Sequence, residues 1–471
     1  MTRIAFRYAL LVLLLPIAWQ PAIAYIDSTV AAATDRGVPG VAPEHLTARF
    51  WVARLRHPDR VMLEPAEITR RNEVLLRTDP SMHDLRALPA QLAPPLVRGW
   101  IDKLAARPKA TLFDATGAPI ANAVLDRIVD NRDVDAIPEM QSTRYGLVVH
   151  RAALRSFPTD LRVFSSIGDT DIDRFQESAL FPGIPIVIAH RSRDRQWLFV
   201  VSPRYAAWVA RDAIAEGERR QVLDYADKVP YRIVTDATVR TAFTPAAPAV
   251  SLLQLDMGVR LPLLTAPGDN VNGQNPYASW SVELPVRDAN GALAFAPALL
   301  ARQDGTASAP LPLTRANVLR QAFRFLGERY GWGHDYGTRD CSGFVSEVYR
   351  SMGLLLPRNT GDQARSPALD RLHFDGEGAT PERTAALRHL QVGDLVYLPG
   401  HVMLVIGRIG GAPYVIHDIH DGKVLDADGR LRSLHLNAVS VTPLMPLRFD
   451  DGSLFADRIT DIVRIRPTGT P

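Results

Sequence analysis

The 471-residue sequence predicts a multidomain chain, with an α+β domain at its C-terminus preceded by two small antiparallel β-barrels and a helical N-terminal region. Three observations predict it. Helical periodicity runs to about residue 118, short runs rich in Val, Ile and aromatics follow to about 302, and helices then precede strands after a stretch of small residues.

Met1–Ala24 reads as a secretory signal peptide. Arg3 and Arg7 precede the apolar run Tyr8–Ile17, and Ala22-Ile23-Ala24 suits a cleavage site, so the mature chain is expected to begin near Tyr25 and to be periplasmic or secreted. An uncleaved anchor is the alternative, against which Pro16 and Gln20 interrupt the apolar stretch. No cysteine stands at the cleavage site to carry a lipid.

Residues 25–118 form the helical region, with Trp51, Val52 and Leu55 on one face and a second helix from Pro65 to Leu76. Residues 119–218 read as the first barrel, on the strand-like runs Tyr145–His150, Ile184–Ala189 and Trp197–Val201. Residues 219–302 repeat the style in Tyr231–Val234, Arg260–Leu264 and Ser279–Leu284 and read as a second barrel. The stretch 303–313, containing Asp304-Gly305-Thr306-Ala307-Ser308-Ala309-Pro310, is the expected linker.

From residue 314 to 471 lies the α+β domain. Thr314 caps a predicted helix whose stripe is Leu319, Ala322, Phe323, Leu326 and Tyr330. A second helix follows Asp340 on the spacing of Phe344, Val345, Val348, Tyr349 and Met352, with Gly353 as its stop. Strands are expected at Leu395–Leu398, Val402–Ile406 and Tyr414–His417.

Composition excludes several function classes. The net charge is +3 without a run of Lys or Arg, so nucleic acid is not an expected partner. Neither a P-loop nor a G-x-G-x-x-G motif is present, and no cofactor is expected.

Cys341 is the only cysteine. With Asp340 as N-cap it stands at a helix start, where the dipole and free N–H groups favour an anion and predict a lowered thiol pKa. The alternative is a small buried hydrophobe. In an exported protein cysteines serve mostly in pairs, so an unpaired one points to a functional thiol.

A thiolate attacking an amide needs an imidazole partner, and that partner an orienting group. His401 opens a strand after the Pro399-Gly400 turn, and His417 closes the next, so a hairpin through 407–413 brings both rings to one sheet end. Either ring alone could be merely exposed or hydrogen-bonded. His417, Asp418, His420 and Asp421 also raise the question of zinc, but no H-E-x-x-H or similar ligand spacing accompanies them, and no metal is expected.

Tyr330-Gly331-Trp332-Gly333, Asp340-Cys341-Ser342-Gly343-Phe344, Leu356-Pro357-Arg358-Asn359-Thr360 with Gln363, Gly393-Asp394-Leu395 and His401-Val402 resemble the NlpC/P60 family of cysteine peptidases. The segments Arg144–Val148, Trp197–Val200 and Trp208-Val209 are similar to bacterial SH3 domains, and Glu67–Asn72 to a helical, clip-like N-terminal region of multidomain members.

The resemblance implies a papain-like catalytic domain behind two SH3-like barrels. It implies Cys341 as nucleophile, His401 as base and His417 as orienting third member, with Tyr330 and the Cys341 N–H at the oxyanion. Asp340 and Ser342 would bind the peptide's amino end, and Tyr205 or Trp208 would wall the cleft. A cap-only role for Asp340, a ligand-free Ser342 and a purely apolar Tyr330 remain the plain alternatives. His334 stands where many members have glycine, so the 334–339 loop is expected to shape the pocket differently.

The expected activity is hydrolysis of an amide in peptidoglycan stem peptides, between γ-D-glutamyl and the diamino acid, with no stable membrane insertion after signal cleavage. A non-catalytic wall-binding scaffold is the alternative. Acyl transfer on lipids ranks below both, since no basic amphipathic helix is evident.

Overall fold

The computed structural model describes residues 37–303 and 305–466; the signal-peptide reading of Met1–Ala24 and the start near Tyr25 lie outside them. Ahead of the first large sheet come the helices Ala48–Val52, Pro65–Thr78, Pro94–Leu104 and Asn122–Asp130. Prolines at the first turns of the second and third sit where a missing N–H leaves no bond unmade. The fourth helix, burying Leu125 and Ile128, falls inside the stretch read as barrel, because its apolar residues recur at helical spacing. Among the described residues no helix is long and apolar enough to cross a membrane.

A seven-stranded antiparallel sheet follows, in the order Ile214–Gly217, Arg144–Val148, Pro185–Arg191, Trp197–Val201, Ala206–Ala210, Ala152–Arg155 and Gln176–Leu180. The strand Trp197–Val201 is buried along its whole length and lies mid-sheet. Trp208, expected at a cleft wall, is wholly buried and packs edge-on against Phe199 inside this sheet's core, so it offers no surface to a ligand.

The next group is three smaller sheets. Arg260–Pro262, Tyr231–Val234 and Thr306–Ala307 form one, Thr238–Arg240 with Gln254–Asp256 another, and the hairpin Ser279–Arg287 with Leu293–Ala301 the third. They share a core of Val234, Leu255, Leu261, Val282, Leu284 and Leu300, joined by Ala179 of the preceding sheet and by Phe181 just after it. The expected linker is partly structured: Ala307 pairs with Ile233, and Leu313 pairs with Leu63.

The C-terminal group packs the helices Arg315–Ala322 and Cys341–Arg350 on a six-stranded sheet. Its order is Asp370–His373, Asp461–Arg464, Leu395–Leu398, His401–Ile409, Ala412–Ile419 and Ala438–Pro443. The first helix is capped by the Thr314 hydroxyl, 3.1 Å from the Asn317 N–H, as expected. It ends sooner than its stripe implies, passing through a 3-10 turn at Phe323–Phe325 to Gly327 at φ +81, so Leu326 and Tyr330 lie beyond it.

The N-terminal segment is part of this domain's core. Trp51, Leu63 and Ile68 cluster with Phe344, Val348 and Ile416. Trp51 donates from Nε1 to the His45 carbonyl at 2.8 Å, and its ring covers Gly407, where a Cβ would come within 2.7 Å of it. Gly407 has φ +151 at a register break between Val405 and Gly407, so both the bend and the ring select glycine. Asn72 bridges to Gly353 O at 2.8 Å and Leu355 N at 2.9 Å, which clips the Pro65–Thr78 helix to the end of the Cys341 helix. Trp51→Ala is expected to destabilise the chain by about 3–5 kcal/mol in urea unfolding, the range for emptying a buried aromatic site.

Candidate active site

Cys341 is the first residue of the helix Cys341–Arg350, with Asp340 as N-cap accepting the Gly343 N–H at 2.8 Å. Its sulfur is nearly covered, 4.0 Å from the carbonyl oxygen of Gly400, the residue before His401. His401 Nε2 lies 2.8 Å from His417 Nδ1, and His417 Nε2 lies 3.0 Å from the Thr442 hydroxyl. The antiparallel hairpin of His401–Ile409 with Ala412–Ile419 brings the two rings together, and Ala438–Pro443, paired beside it, supplies Thr442. Since Nε2 of His401 is committed to His417, Nδ1 is the ring nitrogen left for the thiol.

Arg358 organises the surroundings of the thiol. Its Nη2 and Nη1 reach Asp340 Oδ2 at 2.7 Å and Oδ1 at 3.1 Å, Nη1 also reaches Ser342 Oγ at 2.8 Å, and Nε reaches Ser178 Oγ at 2.6 Å. Asp340 further accepts from Gly333 N–H at 3.1 Å and the Ser342 hydroxyl at 3.1 Å. Its oxygens are thus filled by the protein, and Ser342 belongs to the same lattice, so the capping role is the one the geometry displays. Gln363 locks the next turn, donating to Pro357 O at 2.9 Å and Ser346 Oγ at 3.0 Å and accepting from Tyr397 at 3.1 Å.

These features meet known proteins at the same residues. The NlpC/P60 family model matches residues 327–438, and the SH3 domain (SH3b1 type) model matches 162–210. The chain carries a C-terminal NlpC/P60 peptidase domain. An SH3b domain lies ahead of it. A γ-D-glutamyl-L-lysine dipeptidyl-peptidase of Bacillus cereus is 27% identical over 284 residues, covering 57% of this chain and 71% of that protein. A Bacillus subtilis protein of the same name is 29% identical over 122 residues, 24% of this chain and 35% of its own length. An NlpC/P60 endopeptidase from Photobacterium damselae subsp. piscicida superposes with TM-score 0.71 over 89% of this chain and 96% of its own, at 17% identity, and shares the fold.

Within the NlpC/P60 domain burial governs ionisation. The sequence predicts a lowered thiol pKa from the helix dipole; instead burial, then the Asp340 charge, push the Cys341 thiol up, and the Val402 N–H offsets this only in part. Desolvation of a nearly covered sulfur exceeds the fractional charge of one helix terminus. Burial pushes His401 down to about 4 and, with His401 beside it, His417 well below its ordinary range. The resting pair is thus thiol and neutral imidazole. Burial alone would raise Asp340, yet Arg358 holds it well below the usual carboxylate range.

Tyr330 is buried, and its hydroxyl is pushed well up by burial first, then by the nearness of Cys341 and the Asp340 carboxylate. A loop positions it, through Tyr330 N–H to Asn437 O at 3.1 Å. Tyr205 donates to Glu177 Oε2 at 2.5 Å, and Glu177 also takes the Ser156 hydroxyl; burial raises this carboxyl. Glu177, on the strand Gln176–Leu180, was missed because nothing in its sequence context marks it, and Thr442 was missed because a threonine near a strand end is unremarked.

The four residues that suggested zinc part company: His417 faces His401, His420 Nε2 is 3.5 Å from Asp171, Asp421 binds Ser433 and the His435 N–H, and Asp418 is buried. Among the described residues no His, Cys, Asp and Glu cluster could hold a metal.

Because the folded His401 titrates near 4 and an unfolded histidine near its ordinary value, about 6.5, the unfolded chain takes up more protons between these limits. Stability is therefore full above about pH 6.5 and falls as pH drops toward 4, a slope that urea titrations should find reduced in His401→Asn. Thr442→Val removes the partner of His417 Nε2 inside the core and is expected to cost about 1–3 kcal/mol.

Proposed function

We propose that this chain hydrolyses the amide between γ-D-glutamyl and the diamino acid in peptidoglycan stem peptides. The observation that supports this best is the hydrogen-bond line from His401 through His417 to Thr442, on a strand whose preceding residue, Gly400, has its carbonyl oxygen 4.0 Å from the Cys341 sulfur. For His401 Nδ1 to take the thiol proton, its Nε2–H donates to His417 Nδ1, and the His417 Nε2–H donates to Thr442. That tautomer chain holds His401 and supports the imidazolium formed as sulfur attacks the carbonyl.

The neutral resting pair makes proton transfer part of the attack, since burial disfavours thiolate and imidazolium alike. The tetrahedral oxyanion is met by the Cys341 backbone N–H and the Tyr330 hydroxyl. His401 then returns the proton to the leaving amine of the diamino acid, which departs, and an acyl-enzyme remains for water to open. Glu177, with Tyr205 and close enough to Arg358 to feel its charge, is the acidic group suited to a free peptide amino end. Asp340 and Ser342 contribute there through Arg358 rather than as open acceptors.

The names of the Bacillus relatives agree with a cut after γ-D-glutamyl that releases an N-terminal dipeptide. The sheets of residues 219–302 serve as a second SH3-like barrel, and the helices before residue 118 as a clip. With 314–471 as the catalytic unit, the chain works outside the cytoplasm on wall peptides, without nucleic acid or membrane insertion. A scaffold that only binds wall peptides is the second reading, and the filled hydrogen-bond line through two histidines disfavours it.

Incubation of L-Ala-γ-D-Glu-diamino acid peptides with the full chain, followed by mass spectrometry, is expected to yield the dipeptide and the free diamino acid. Cys341→Ala is expected to yield neither, and an N-acetylated peptide to be cut at least about tenfold more slowly, as a buried carboxyl then loses its charged partner. Binding without cleavage by the parent chain would favour the scaffold, and cleavage by Cys341→Ala would remove the thiol mechanism.

A further inference from the structure

His334 takes no part in the chemistry above, yet it is only 4% exposed and holds φ +62, a conformation uncommon outside glycine that histidine adopts more readily than most residues, as asparagine and aspartate do. Its ring has two fixed partners: Nδ1 lies 2.9 Å from Arg358 Nη2, and Nε2 lies 3.1 Å from Glu347 Oε1. A guanidinium only donates, so Nδ1 accepts and carries no proton. The single ring proton is on Nε2 and is given to Glu347.

The ring also lies on the first turn of the Cys341 helix. A Cβ on Gly343 would come within 2.4 Å of His334 Cε1, so the imidazole fills the space that glycine leaves. Its backbone is held from the SH3b side: Gln176 Nε2 donates to Gly333 O at 2.8 Å and Arg151 Nη2 to His334 O at 2.8 Å. Other charged groups around the ring are Asp340, Arg151 and Arg339.

We propose that His334 is a positioning residue, whose neutral imidazole holds Arg358 on Asp340 and Ser342 and so sets where the Cys341 sulfur stands and how readily it ionises. The proposal rests on the reading of Cys341 as the nucleophile. Around that sulfur, Asp340 and Asp418 oppose ionisation and Arg358 favours it, with Tyr330 close by and His401 following Gly400. Without the ring, Arg358 Nη2 loses an acceptor and the first helical turn loses its cover. A guanidinium still held by Asp340, Ser342 and Ser178 but no longer braced by the ring shifts from its place and compensates Asp340 less well, and the thiolate becomes harder to form.

His334→Gly removes the ring while favouring the positive φ, and His334→Gln offers a carbonyl to Arg358 and an amide N–H to Glu347. In the full chain, the pH profile of Cys341 alkylation by iodoacetamide and the kinetics of stem-peptide cleavage are measured together. For the glycine variant the alkylation profile is expected to move to higher pH and kcat to fall roughly ten- to hundredfold, with KM within about twofold. His334→Gln is expected to recover most of both losses.

A glycine variant with the parental profile and kcat, a loss carried by KM alone, or no recovery with glutamine would overturn the proposal. Should the glycine variant fail to fold, His334→Asn tolerates the same φ, is too short to meet both partners, and carries the same expectations. If the parent chain cleaves nothing, the reading as a peptidase fails, while the alkylation profiles still decide the role of His334.

Discussion

The fork between Arg358 and Asp340 is the contact on which the rest of the site depends. Asp340 is the N-cap that starts the Cys341 helix, and a carboxylate there must be both hydrogen-bonded and neutralised, because it is removed from water. Arg358 does both from the Leu356–Thr360 turn and reaches across to Ser178 of the SH3b sheet. One guanidinium therefore joins the start of the thiol helix, the following turn and the neighbouring domain.

Around that fork, further charges continue the join. Arg339, wholly buried, reaches Asp256 at 3.1 Å and Glu347 at 3.1 Å, and Glu347 meets His334. Asp256 belongs to the small sheets that follow the SH3b domain, so helix, loop and both sheet regions share one buried polar network. Removing any member strands a charge in the interior, which makes such networks rigid and specific to one arrangement.

The same burial reverses a simple electrostatic expectation. A helix terminus supplies about half a unit charge and favours a thiolate, yet the loss of water around sulfur costs more. Thiol and imidazole rest neutral, and the hydrogen-bond line to Thr442 holds the His401 ring without charging it. A dry site of this kind makes later charge development respond strongly to nearby dipoles.

Periodicity and caps made the local elements legible: Thr314 and Asp340 cap as their sequence context implies, and the strands Trp197–Val201 and Leu395–Leu398 lie where apolar runs put them. Ordered motifs also named Cys341, His401 and His417, since these residue types at strand and helix ends carry their chemistry with them. What the chain order could not express is proximity. Glu177 and Thr442 meet the site only through folding, Trp208 is lost to a core because its strand turns inward, and His334 acquires its partners from residues 13 and 24 positions away. Hydrogen bonding within a few residues is written in sequence, whereas desolvation and long-range pairing depend on what the whole chain packs around each group, and those decide its charge.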